Sequence, residues 1–167
     1  MNIVKPRKCN NLIKTEMLLE EICDEELINK QIENVTLQYI EIYNINFETL
    51  KMFNVEITNS KLEKNTFSDI VFENCNFSNT SFENSIFVRC EFINCKMTGC
   101  NFIEARLYNV SFIETNINYA NLSTTSMENV LFKNTGLRNS NNRNRIYCNT
   151  FRRKVFRSLS ERRSYEM

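Results

Sequence analysis

Residues 75–94 read CNFSNTSFENSIFVRCEFIN, and in this stretch a phenylalanine stands at every fifth position, at 77, 82, 87 and 92. The spacing continues in both directions without a break, so that one apolar residue recurs every five positions from Leu37 to Leu137. A period of five fits neither the α-helix, with 3.6 residues per turn, nor the flat strand, with a period of 2. It therefore indicates one short unit that is repeated and stacked on itself.

Two further positions of each unit have a restricted composition. Two residues before the apolar centre, small or β-branched residues dominate, as at Cys75, Thr80 and Ser85. A large centre beside a small partner predicts that both side chains point into a narrow interior and fill it together. Three residues before the centre Asn recurs, and Gly99 takes that place once. Because Asn and Gly tolerate a positive φ, this position predicts a turn in every unit.

Units such as 75–79, 105–109 and 120–124 resemble the repeats of the pentapeptide-repeat family. The resemblance implies an all-β solenoid, a right-handed quadrilateral β-helix in which one unit forms each side and four units form a coil. By that rule the repeats build about five coils, and we expect short helical caps at the ends. A coil of four units also predicts vertical columns of side chains. One is Met52, Phe72, Phe92, Phe112 and Phe132, and another is Phe47, Phe67, Phe87, Leu107 and Met127.

The register of the repeats divides the chain into three parts: an N-terminal cap segment over 1–33, the repeat β-helix over 34–140, and a basic C-terminal segment over 141–167. From residue 138 to the end there are 9 basic and 2 acidic residues. A short amphipathic helix is expected over about 150–163, with one apolar face formed by Phe151, Val155, Phe156 and Leu159. This helix would cap the rod, join two copies into a homodimer, or bind nucleic acid through its charges; we favour the first two.

The N-terminal segment allows two interpretations. Thr15 can cap a short helix near 15–24, or Leu27 and Ile32 can extend the five-residue register as a degenerate first coil. Open solenoid ends expose unpaired strand edges, so a cap is needed in either case. We expect the helix followed by the partial coil, with Pro6 in a loosely held segment before them.

The composition offers no support for catalysis or for a cofactor. The chain contains no histidine, the commonest general base and metal ligand. Its two glycines, Gly99 and Gly136, form no phosphate-binding loop. Cys90, Cys95 and Cys100 occupy the small inward position of the unit, which favours structural packing over a zinc site. The chain shows no apolar run long enough for a membrane span and no secretory signal, so we expect a cytoplasmic protein.

Several outward positions in the middle of the repeats are apolar, and exposed apolar clusters often mark contact surfaces. We therefore consider a partner-binding surface formed by Ile86, Val88, Ile93, Ile103, Tyr108 and Ile113. The alternative is an ordinary scatter of surface hydrophobic residues. By the coil rule Ile86, Val88 and Tyr108 share one side, Ile93 and Ile113 stack on the next, and Ile103 lies opposite that stack.

These features favour a non-enzymatic protein that acts as a rigid scaffold for another macromolecule, with a protein partner. The resemblance implies a narrower alternative, because some members of the family mimic duplex DNA, bind DNA gyrase or topoisomerase IV and protect them from quinolones or toxins. Residues 35–137 carry 7 basic and 11 acidic residues, a weak excess for a mimic of a polyanion. Glu63 and Glu83 form the one short acidic stack that would support it.

Overall fold

The structure, a computed structural model, describes residues 3–7, 13–15 and 26–141. Within these residues the chain forms short strands and turns and no helix. In chain order the strands are β1 Ile13–Thr15, β2 Glu26–Ile28, β3 Lys30–Glu33, β4 Thr36–Gln38, β5 Glu41–Tyr43, β6 Asn46–Glu48, β7 Lys51–Phe53, β8 Glu56–Thr58, β9 Lys61–Glu63, β10 Thr66–Ser68, β11 Val71–Glu73, β12 Ile86–Val88, β13 Glu91–Ile93, β14 Arg106–Tyr108, β15 Ser111–Ile113, β16 Ser126–Glu128 and β17 Leu131–Lys133.

From β2 onward, strands pair in parallel with the strand one coil further along, so that Phe67 is opposite Phe87 and Phe72 opposite Phe92. The pairing produces a seven-stranded face, β1-β3-β7-β11-β13-β15-β17, and a six-stranded face, β2-β6-β10-β12-β14-β16. Two more faces begin with the pairs β4–β8 and β5–β9 and continue upward as isolated bridges. The chain passes from the six-stranded to the seven-stranded, the β4–β8 and then the β5–β9 face. The result is the predicted four-sided β-solenoid of about five coils.

The apolar centres of the units form the core, and both predicted columns are present. Phe72, Phe92 and Phe112 stack nearly parallel, with ring centroids 4.5 Å and then 4.9 Å apart. Phe67 and Phe87 stack in the neighbouring column at 4.6 Å. The spacing follows from the distance of roughly 4.8 Å between paired strands, which sets each ring directly over the one below.

The turn position of each unit has the predicted positive φ. Asn54 and Asn94 have φ values of 53° and 52°, and the same conformation is imposed where the residue is Thr49 or Arg89. At Gly99 the φ is 72° and an added Cβ would lie 2.5 Å from Asn79 Oδ1. Glycine therefore occupies this turn because the amide below it already fills the space.

The small inward position satisfies backbone groups inside the rod. Ser85 Oγ donates to the Leu62 carbonyl at 3.0 Å and accepts from the Asn65 N–H at 3.1 Å. The thiol of Cys90 is placed in the same way, 3.3 Å from the Phe67 carbonyl. Among the described residues, every buried side-chain nitrogen or oxygen has a hydrogen-bond partner. These contacts support a structural role for the inward cysteines, because their sulfurs contact the backbone carbonyls that a Ser or Thr hydroxyl contacts in other units.

At the N-terminal end, Thr15 lies in β1, opposite Ile32, and β1 covers the open edge of β3. The partial coil is confirmed, because Leu27 is opposite Phe47 and Ile32 opposite Met52. The rest of the expected helix near 15–24 and the C-terminal helix lie outside the described residues, so the short helical caps find no support. Along the described ranges, no helix has the length and apolar character needed to cross a membrane.

Candidate protein-binding surface

Five of the six predicted surface residues lie together on two adjacent faces. Val88 and Tyr108 are opposite each other on the six-stranded face, which also carries Ile86. Ile93 and Ile113 are opposite each other on the seven-stranded face. All five are partly exposed, because they lie on either side of a buried centre in a strand.

The sixth predicted residue, Ile103, is separate from the others. It follows the buried Phe102 on the β5–β9 face, which is opposite the seven-stranded face across the core. A single flat partner cannot contact both faces at once, so Ile103 does not belong to the same surface.

The seven-stranded face is more apolar than the sequence analysis indicated. Phe53, Val71 and Leu131 are also outward and partly exposed there. We use the term apolar patch for the outward residues Phe53, Val71, Ile93, Ile113 and Leu131. The signal that would have identified the missed three is their position immediately before the centre of a unit, as at Val71 and Leu131, or immediately after it, as at Phe53, which makes them outward residues of one face.

The N-terminal residues 3–7, here called the N-terminal segment, lie against the corner between the six-stranded and seven-stranded faces. Val4 N–H donates to Asn109 Oδ1 at 3.3 Å, and Arg7 N–H donates to Asp69 Oδ1 at 3.0 Å. Lys5 Nζ is 3.4 Å from Glu91 Oε1. Pro6, which the sequence placed in a loosely held segment, thus has residues on both sides that contact the rod through a few polar groups.

Asp69 is the anionic centre of this corner. Arg89 donates to both of its carboxylate oxygens at 2.7 Å, and the Asp69 side chain is fully buried. Burial acts to raise the pKa of Asp69, but the hydrogen bonds from the Arg89 side chain and the Arg7 backbone, with both positive charges, outweigh it and hold the pKa below its ordinary value. Asp69 is consequently ionised at neutral pH.

The charges on the four faces form a mosaic. Lys51 pairs with Glu73 at 3.3 Å on the seven-stranded face, and Lys61 pairs with Glu41 at 2.8 Å on the β5–β9 face. Arg106 lies on the six-stranded face and Lys96 on the β4–β8 face. Over residues 26–141, every face thus carries at least one cation among its outward residues, and no face is uniformly negative.

The thiols of Cys90 and Cys100 are chemically protected. Burial raises the pKa of Cys90 and of Cys100 to about 12, far from the thiolate-rich state that metals and electrophiles require. In the part of the chain that the structure describes, no three His, Cys, Asp or Glu side chains are grouped to hold a metal ion.

We expect Cys90 and Cys100 in the folded protein to react with iodoacetamide at pH 8 at least about a hundredfold more slowly than in urea, because little thiolate is present. Peptide mapping after timed labelling measures each site separately. Equal labelling of the folded and unfolded protein would show that the two sulfurs are not enclosed.

A four-sided solenoid wound from five-residue units defines a β-solenoid repeat protein. Two family models match this chain: one described as pentapeptide repeats (8 copies) over residues 66–102, and one described as a pentapeptide repeat region over residues 85–153. Together they span more than half of the 167 residues. The chain belongs to the pentapeptide-repeat family.

Two solved structures are similar to this chain at low identity. A pentapeptide repeat protein, Rfr23, from the cyanobacterium Cyanothece 51142 is 16% identical over 74% of this chain and 98% of that one, with a TM-score of 0.39. A trypsin-treated form of QnrB1, a plasmid-mediated fluoroquinolone resistance protein, is 18% identical over 66% of this chain and 74% of its own, with a TM-score of 0.34. Among curated proteins, no sequence matches this chain.

Proposed function

We propose that this protein is a non-enzymatic scaffold that binds a protein partner through the apolar patch and the adjoining residues Val88 and Tyr108. The observation that carries the proposal is the pair of apolar outward side chains Ile93 and Ile113, which are opposite each other on the seven-stranded face. In their column Glu73 lies below the pair, with Phe53 one coil beyond it, and Lys133 lies above. Partly exposed apolar groups on two neighbouring faces provide apolar area for the centre of a protein interface.

The rod supports this role because its outward side chains are fixed by the core beneath them. Each outward residue of a strand adjoins a buried centre, and the stacked rings leave those centres no freedom to move. A surface that is already ordered loses little conformational entropy on binding. The mixed charges of the surrounding residues would form the polar rim.

The test is the double variant Val88→Glu, Ile93→Glu, which adds two charges to adjoining faces at half-exposed positions. We expect it to abolish capture of the partner that the unmodified protein retains, or to dissociate a dimer if the partner is a second copy. The matched control is Ile103→Glu, Ser123→Glu on the β5–β9 face, which should retain both properties. The same captured proteins and the same oligomeric state in the double variant, with its fold retained by circular dichroism, would contradict the proposal.

The alternative is that the rod binds DNA gyrase or topoisomerase IV as a DNA mimic and protects the enzyme from quinolones or toxins. The supporting observation is that Glu63 and Glu83 stack on successive coils of the β5–β9 face, with Glu41 on the other side of the strand in the coil below. Lys61 neutralises Glu41, which weakens the likeness to a phosphate backbone. A supercoiling assay distinguishes the two functions: inhibition of gyrase, or its rescue from a quinolone, at micromolar protein would favour the mimic.

Two further parts of the proposal concern residues or properties beyond the rod. One is a homodimer, in which two copies would be joined through the apolar face of a C-terminal helix formed by Phe151, Val155, Phe156 and Leu159.

The other is a cytoplasmic location. It is supported by the free thiols of Cys75, Cys90, Cys95 and Cys100, which a reducing compartment maintains.

A further inference from the structure

The corner between the six-stranded and seven-stranded faces holds the N-terminal segment as a bound peptide is held. Its contacts come from three successive coils: Asn109 binds the backbone of Val4, Glu91 binds the side chain of Lys5, and Asp69 binds the backbone of Arg7. The Arg7 guanidinium is also 3.6 Å from the Asp69 carboxylate. Backbone and side-chain groups of the segment are thus both recognised.

The spacing of these contacts requires an extended peptide. Asn109 and Asp69 are two coils apart, a rise of about 9.6 Å at the usual distance between paired strands. Arg7 is three positions after Val4, and an extended chain covers about 10 Å over three positions. Pro6 favours such a backbone and restricts Lys5 to it as well.

The acidic side chains of the corner are much more buried than the cationic side chains of the N-terminal segment. The Asp69 side chain is 0% exposed and that of Glu91 is 12% exposed, whereas those of Lys5 and Arg7 are 76% and 71% exposed. Ser111, an outward residue of β15 beside this corner, is also buried. Asp69 is also held by the rod itself, because Arg89 donates to both of its carboxylate oxygens. The cations of the segment, in contrast, make solvent-exposed contacts of the kind that contribute little to stability.

We propose that the corner formed by Asp69, Glu91 and Asn109 is a binding site for an extended peptide with two cationic residues separated by one position. In the free protein residues 4–7 occupy it in cis, and a basic segment of a protein partner takes their place. The N-terminal segment makes few contacts with the site, and those contacts are exposed, so its replacement by the partner's segment costs little free energy. The site itself keeps its shape when the N-terminal segment leaves. This inference rests on polar contacts and not on the apolar patch, and the two surfaces meet at the same corner, since Val71 lies two residues after Asp69 and Val88 directly before Arg89.

The test uses the full chain with Lys5→Glu and Arg7→Glu, which repel the segment from Glu91 and Asp69. The probe is a synthetic acetylated peptide with the sequence of residues 3–7, and its affinity is measured by isothermal titration calorimetry at low salt. We expect the double variant to bind it with 1:1 stoichiometry and at least tenfold more tightly than the unmodified protein, whose own segment competes. Addition of Asp69→Asn, which keeps the shape and tolerates the positive φ at this turn, should weaken binding at least fivefold.

The matched controls are Glu63→Gln on the β5–β9 face, which should leave peptide affinity unchanged, and a peptide with Glu at both cationic positions, which should not bind. Equal affinity of the double variant and the unmodified protein, or binding that ignores Asp69→Asn, would overturn the proposal. A wild-type dimer that Lys5→Glu, Arg7→Glu dissociates would also overturn it, since the segment would then be supplied by a second copy. None of these results bears on the Val88→Glu, Ile93→Glu test, so the two ideas fail separately.

Discussion

Replacement of Phe92 by alanine is expected to lower the free energy of unfolding by about 3–5 kcal/mol. The Phe92 ring is fully buried and lies between Phe72 at 4.5 Å and Phe112 at 4.9 Å, with Phe87 beside it at 5.9 Å. Its removal takes away apolar burial and leaves a cavity in the middle of a column. Neighbouring coils cannot close that cavity, because their separation is fixed by the hydrogen-bonded strands on all four sides.

The measurement is urea denaturation followed by circular dichroism, with Phe132→Ala as the matched control. Phe132 belongs to the same column but stacks on Phe112 in the last of the described coils, and it is 6% exposed. We expect its truncation to cost about half as much, since the end of the rod relaxes more easily. A loss below about 1 kcal/mol at Phe92, or equal losses at both sites, would contradict the stacked-column account of stability.

The change Thr115→Val is expected to cost about 2–4 kcal/mol, although it alters the volume of the side chain very little. Thr115 Oγ1 accepts from the Cys95 N–H at 3.3 Å, and its single proton is within reach of two carbonyls, those of Phe92 and Ile113, each 3.1 Å away. Valine keeps the β-branched shape but leaves a buried donor and a buried acceptor without this partner. The cost is the desolvation of backbone groups that water cannot reach.

Thr115→Ser is the control for this variant. It keeps the hydroxyl and loses only one methyl group, which is worth about 1 kcal/mol. The order of stability should therefore be unmodified protein, then Thr115→Ser, then Thr115→Val, in the same denaturation experiment. A Thr115→Val variant within 0.5 kcal/mol of the unmodified protein would show that the inward hydroxyl is a space filler rather than a required hydrogen-bonding group.

Much of the rod was predictable because each unit repeats one local solution. Phe77 and Phe82 lie on different faces, but each has a small residue two positions before it and a turn asparagine two positions after it. One pattern therefore describes both units. The turn at Asn54 and the inward place of Cys90 follow from the preferences of single residue types. The candidate surface was predicted less completely. Ile93 and Ile113 were identified, whereas Phe53 was missed because Glu73 separates it from Ile93 in their column. Leu131 was missed because it lies in the other outward column of the face, opposite Ser111.

The sequence by itself determined the coil, since the period of five, the large centre and the turn residue all act within a unit or between units twenty positions apart. Only the tertiary structure decided where the N-terminal residues lie. Thr15 forms a strand because the edge of β3 needs a partner, and Arg7 reaches Asp69 because the finished corner presents a buried carboxylate. Val4 and Asn109 are 105 positions apart in the chain. No local pattern encodes such a contact, because it depends on a surface that exists only after the coils have stacked.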